Sequence, residues 1–151
     1  MLKKAINFLL KDKEGREHSL EDINSDYIVL YFYPKDSTPG CTIESQEFTQ
    51  DLDKFRKLNI SIVGISGGNE ESKKKFCERY NLRIILLSDS DFSVSKKYGV
   101  YGEKSFMGKK FMGIKRTTFI LDKNRNIIKT YENVKPAGHS EEVLEFIKSK
   151  D

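Results

Sequence analysis

Asp26 to Tyr33 (DYIVLYFY) is an unbroken apolar, β-branched and aromatic run of strand length, and Pro34 stops it. After a turn, Thr38 stands where a helix N-cap belongs, Pro39 fills the first helical position, and a periodic segment runs to about Lys57. Within it Cys41, Phe48, Leu52 and Phe55 recur at i, i+7, i+11 and i+14, the stripe of a helix that faces a core. The Cys41 thiol therefore leads off a buried helical face just past the end of a buried strand, at the rim of a pocket. Ser61 to Ser66 (SIVGIS) reads as a second buried strand, and the helix between the two makes a βαβ unit with parallel strands.

Either side of this unit the pattern is shorter. Residues 5 to 23 read as a strand pair around the turn Asp12-Lys13-Glu14-Gly15. Beyond Gly67-Gly68, Asn69 caps a helix with Glu70 and Glu71 in its first turn, running to about Tyr80. Ile84 to Leu87 is a short extended segment and Phe92 to Tyr98 a short helix. Gly99 to Gly113 holds four glycines, three aromatics and two methionines without clear periodicity and reads as loop. Arg116 to Leu121 and Ile127 to Glu132 form an antiparallel hairpin across Lys123 to Asn126, and Gly138 and Ser140 open a final helix. The order is βαβ, then ββα, with no repeat or linker, so the 151 residues are expected to form one α/β domain, 1–151.

Composition narrows the function classes. Hydrophobic content of 37% beside charged content of 33% describes a globular chain with a heavily charged surface. The net charge is only +4, and the clusters Lys73 to Lys75, Lys96-Lys97 and Lys109-Lys110 accompany no nucleic-acid motif, so they read as solvated faces. The high Lys and Glu content also fits a thermophile. No apolar run approaches membrane-spanning length, and Ala5 to Leu10 is too short for a signal-peptide core, so a cytoplasmic protein without membrane or nucleic-acid partners is expected. His18 and His139 lie far apart and read as surface or capping residues; no metal site and no cofactor box is expected, and Phe106, Met107, Phe111 and Met112 read as loop packing. Two cysteines in a reducing compartment favour catalysis or redox sensing over a structural staple.

A cysteine thiol of pKa about 8.5 is only a few per cent thiolate at neutral pH, and the thiolate is the nucleophile. Bringing such a thiol to ~6 takes roughly 3.4 kcal/mol at about 1.36 kcal/mol per unit, of which a helix N-terminus supplies at most ~2. A cation must supply the rest. Of the six arginines, Arg16, Arg56, Arg79, Arg83 and Arg125 lie in charged or turn-like surroundings, whereas Arg116 opens the apolar strand TTFIL. Spacing alone leaves two readings: a strand-edge arginine in water, or a guanidinium delivered into a pocket, where its fixed fork suits two oxygens or a sulfur and an oxygen.

The residues Pro34-x-x-x-Thr38-x-x-Cys41 match the Pro-x-x-x-Thr-x-x-Cys signature of the peroxiredoxins, and YFYPKDSTPGCTIES, VYGEKSFMGKKFMGIKRTTFILD and GHSEEVLEFIK resemble the peroxiredoxin Q or bacterioferritin-comigratory-protein branch over nearly the whole chain. The resemblance implies a thioredoxin-like fold with a central mixed β-sheet flanked by helices, and the βαβ-then-ββα order is what that fold requires. It implies a thiol peroxidase, with Cys41 as peroxidatic cysteine oxidised to a sulfenic acid by hydrogen peroxide or an organic hydroperoxide. It implies Arg116 entering the site, with the Thr38 hydroxyl and the Cys41 amide beside it as donors to the departing oxygen, Pro34 covering the sulfur, and Glu44 in reach of the arginine unless it faces solvent.

One departure from the branch matters: where many members carry a second cysteine five residues after the first, this chain has Gln46. Cys77, on the Asn69–Tyr80 helix, falls where another group of members has its resolving cysteine. The resemblance then implies a Cys41–Cys77 disulfide, which requires the first turn around Cys41 and the Cys77 helix to loosen, and recycling by thioredoxin or a glutaredoxin-like dithiol protein. Alternatives stay open at this stage. Cys77 is a packed hydrophobe and Cys41 works alone with an external thiol; the same oxidation serves a peroxide sensor; or the domain is a non-catalytic interaction module. A Cys-x-x-Cys oxidoreductase is disfavoured, since Glu44 occupies the second sulfur's place. A monomer is expected from the branch.

Overall fold

A computed structural model describes residues 3–150. Three parallel strands form its centre: β3 (Tyr27–Phe32), β4 (Ile60–Ser66) and β5 (Ile85–Ser88), with β1 (Leu9–Lys11) and β2 (Glu17–Ser19) before them in the chain. Later come β6 (Tyr101–Phe106), β7 (Lys109–Ile114), β8 (Thr117–Asp122) and β9 (Ile127–Tyr131). Seven of these make one mixed sheet of order β2-β1-β5-β4-β3-β8-β9, and β6 and β7 pair separately. The helices are α1 (Pro39–Gln50), α2 (Leu52–Lys57), α3 (Glu70–Tyr80), α4 (Ser93–Lys97) and α5 (His139–Lys148). This is the thioredoxin-like arrangement that the element order called for.

β3 lacks polar alternation because both its faces are covered. Val29 and Tyr31, with Tyr33 just beyond the strand, join Cys41, Phe48, Leu52, Phe55, Phe76, Val143 and Ile147 in one core layer. Ile28, Leu30 and Phe32 pack on the other side with Leu20, Val63, Ile65, Phe119 and Leu121. The stripe read from the sequence is thus the seam between α1, α2 and the sheet.

Three expectations need correction. The helix predicted from Pro39 to about Lys57 is two helices broken at Asp51, whose backbone leaves helical geometry (φ −91°, ψ 3°) while its carboxylate accepts from Ser140 Oγ at 2.7 Å at the start of α5. Gly99 to Gly113 is largely the β6–β7 hairpin, turned by Met107 and Gly108, both at positive φ, as a two-residue type I′ loop requires. Its outer apolar residues Phe106, Met107, Phe111 and Met112 are exposed, and only the base of the hairpin, at Ile114 and Tyr101, packs on the core, so no alternation marks it. His139 is not a surface residue. It is buried, with Nε2 at 2.8 Å from Thr118 Oγ1 and Nδ1 at 2.9 Å from Glu142 Oε1.

Candidate active site

β3 and β8 run antiparallel with Phe32 opposite Thr117, so Arg116 emerges beside the point where β3 gives way to the loop before α1. That register brings together residues 75 positions apart. Arg116 Nη2 lies 3.4 Å from Cys41 Sγ, and Nη1 of the same guanidinium donates to Glu44 Oε1 at 2.8 Å. Cys41 and Glu44 sit three residues apart, about one turn along α1 and on one face of it, so a single forked cation spans both.

The sulfur is fully buried, and solvent approaches through the Arg116 side chain, 15% exposed, and through half-buried Pro34, Thr38 and Gly40. Cys41 is the third residue of α1. The first amides of a helix have no intrahelical acceptor and Pro39 brings none, which leaves the amides of Gly40 and Cys41 as free donors at the positive end of the helix dipole. Thr38 occupies the N-cap without a capping side-chain bond. Its Oγ1 donates to the Lys35 carbonyl at 2.8 Å, so toward any third group this hydroxyl is an acceptor, whereas the sequence suggested a donor. The Thr38 carbonyl takes both the amide and the hydroxyl of Thr42, at 2.9 and 2.8 Å, which fixes the helix start.

Glu44 faces inward, 1% exposed, not toward solvent. Burial pushes its carboxyl up to about 7 against the lowering pull of Arg116, and Oε2 finds no hydrogen-bond partner in the protein. Burial works against the Arg116 charge, but Cys41 and Glu44 more than offset it and raise the guanidinium above its ordinary value. The fork is therefore a permanent cation.

Gly40 escaped the sequence reading as a site residue. A Cβ there would stand 3.0 Å from Arg116 Nη2 and 3.3 Å from Pro136 Cγ, so only glycine lets the guanidinium lie this close over the helix start. Its sole signal in the sequence was its place between Pro39 and Cys41.

Cys77, on α3, is 4% exposed, and it borders a recess of about 180 Å³ lined also by Asp12, Lys13 and Leu82 to Leu86. Burial pushes its thiol up. Both cysteines are free thiols and belong to the same core layer. Among the described residues no group of three or more His, Cys, Asp or Glu is placed to hold a metal ion, and no helix is long and apolar enough to cross a membrane.

A family model described as AhpC/TSA matches residues 1–130. The chain belongs to the AhpC/TSA family. Within it the Bcp and peroxiredoxin Q proteins are similar along most of their length. Peroxiredoxin Bcp of Bacillus subtilis is 40% identical over 145 residues, covering 96% of this chain and 92% of the relative. The solved bacterioferritin comigratory protein of Xanthomonas campestris superposes with a TM-score of 0.93 at 32% identity, covering 100% of this chain and 97% of that one. Peroxiredoxin Q of the same organism, solved with a cysteine replaced by serine at either of two positions, gives TM-scores of 0.88 and 0.89, each at 34% identity and over 95% of this chain. This peroxiredoxin thus carries the branch's fold from end to end.

Proposed function

We propose that the protein reduces hydrogen peroxide and organic hydroperoxides at Cys41. The single observation that carries this reading is the fully buried sulfur at a helix start with a guanidinium at 3.4 Å that is itself clamped to Glu44. The Cys41 thiolate attacks one peroxide oxygen, the O–O bond breaks, and the leaving oxygen departs as alkoxide or hydroxide and takes a proton to become alcohol or water. Arg116 and the Cys41 amide stabilise the charge that builds on the leaving oxygen, and Thr38 Oγ1 accepts the peroxide hydrogen. Alkyl peroxide reduction is an activity of the X. campestris bacterioferritin comigratory protein, which fits this substrate class.

Resolution by Cys77 follows. Its thiolate attacks the Cys41 sulfur, an S–S bond forms, the S–O bond breaks and hydroxide leaves as water. The two cysteines replaced in the X. campestris peroxiredoxin Q structures have the same separation along their chain as Cys41 and Cys77 have here, which supports this pairing. Thioredoxin or a glutaredoxin-like protein then reduces the disulfide. Arg116, Glu44 and Cys41 meet within one chain, so the site as proposed needs no second copy.

A second reading keeps Cys41 as the only redox-active sulfur. The deep burial of Cys77 in the core and its raised thiol favour it. Peroxide turnover by wild type, Cys41→Ser and Cys77→Ser, each with and without thioredoxin, separates the two. No turnover by Cys41→Ser, with one sulfenic acid per chain and no thioredoxin-driven cycle in Cys77→Ser, is the expected result. A Cys77→Ser protein cycling with thioredoxin as fast as wild type selects the one-cysteine reading.

A further inference from the structure

The cluster Lys73 to Lys75 read from the sequence as a solvated face, yet Lys73 has no exposed surface. Its ammonium uses all three donors inside the protein: Asp36 Oδ2 at 2.9 Å, Ser66 Oγ at 2.7 Å and the Gly67 carbonyl at 2.7 Å. Asp36 is the other hub. It also accepts from Tyr33 Oη at 2.6 Å, Ser72 Oγ at 2.7 Å and Ser66 Oγ at 3.3 Å. Asp36 lies within the Pro34–Thr38 loop that leads into the Cys41 turn, and Ser72 and Lys73 lie in the first half of α3, the Cys77 helix. The network therefore fastens to one another the two segments that carry the two sulfurs.

We infer that the Lys73–Asp36 pair, supported by Ser72, is a latch that sets how fast the oxidised Cys41 reaches Cys77, which makes Lys73 and Asp36 positioning residues. This rests on the reading of Cys77 as resolving cysteine. Both sulfurs are buried parts of regular helices, and a disulfide needs their Cα atoms within about 7 Å with suitably directed side chains. The first turn of α1 and α3 have to shift relative to one another, and the Asp36 bonds to Ser72 and Lys73 are the polar links between those two segments. Ser37, next to Asp36, is held in the left-handed region at φ 64°, so the loop gains backbone freedom once the latch opens.

A sulfenic acid at Cys41 has two fates: attack by Cys77, or a second peroxide that carries it to sulfinic acid. Their ratio reads the latch, and a side chain that only stabilised the fold would leave it unmoved. The experiment treats reduced wild type, Lys73→Met, Ser72→Ala and Cys77→Ser with graded hydrogen peroxide and measures disulfide and Cys41 sulfinic acid by intact and peptide mass spectrometry. In Lys73→Met the peroxide concentration giving equal disulfide and sulfinic acid should rise about tenfold, and in Ser72→Ala about threefold, as expected for a gated conformational step. The half-exposed Ser72 keeps the test open should Lys73→Met fail to fold. A Cys41–Cys77 bridge that forms with an unchanged ratio in the folded variants overturns the latch alone. No bridge in the wild type overturns the latch together with the resolving role of Cys77.

Discussion

Arg116 donates to Glu44 Oε1 at 2.8 Å from the same guanidinium that reaches Cys41 Sγ at 3.4 Å. A carboxylate one turn along the helix thereby orients the cation at the sulfur. Without it the guanidinium would have one anchor and a long, mobile stem.

Arg116→Lys keeps the charge but loses the fork, because an ammonium cannot hold Glu44 and address the sulfur and oxygen together. The second-order rate of Cys41 oxidation by peroxide, followed by stopped flow, should fall about a hundredfold, in line with loss of one donor to developing negative charge. A rate within threefold of wild type would show that charge alone suffices.

Gly40→Ala separates position from stability. The glycine is helical without positive φ, so alanine costs nothing in backbone strain, but its Cβ meets Arg116 Nη2 at 3.0 Å and the guanidinium must give way by a few tenths of an ångström. Thermal melting should be unchanged or improved by up to about 1 kcal/mol from helix propensity, while peroxide reactivity falls about tenfold.

The Glu44 carboxyl, held at about 7 by burial against an ordinary 4.5, takes its proton more readily in the folded protein than in the unfolded chain. Its contribution to stability is therefore complete below pH 4.5 and is lost as pH rises through about 7, with a total of about 3 kcal/mol. Glu44→Gln should flatten this slope in urea titrations between pH 4.5 and 7. The peroxide rate should also lose an inflection near pH 7, where Glu44 gains the charge that clamps Arg116.

His139 acts with the opposite sign. Burial depresses its protonation below the ordinary value of 6.5, although Glu142 pulls the other way. The stability it contributes is complete above pH 6.5 and is lost as pH falls below that toward the depressed folded value. His139→Gln should remove that acid-side loss, measured by denaturant midpoints from pH 7 down to 5, and leave the peroxide rate at pH 8 unchanged.

Much of this protein was present in local patterns. The DYIVLYFY run, the Thr38-Pro39 helix start and the Cys41–Phe55 stripe each describe neighbours in sequence whose side chains share one strand or helix face, and periodicity reports that directly. The cysteine motif similarly fixed which sulfur leads the helix. Hidden from it were the relations that pass between elements. Nothing local tells that Asp51 is drawn to Ser140, that Gly99 to Gly113 folds into a hairpin exposed along its outer half, or that one lysine of three in a row is swallowed whole. Arg116 could be singled out by its strand, but its meeting with Cys41 and Glu44 depends on the antiparallel register of β8 against β3. Charge and thiol chemistry act over a few ångströms of space, and only the folded sheet brings residues so distant in the chain to that separation.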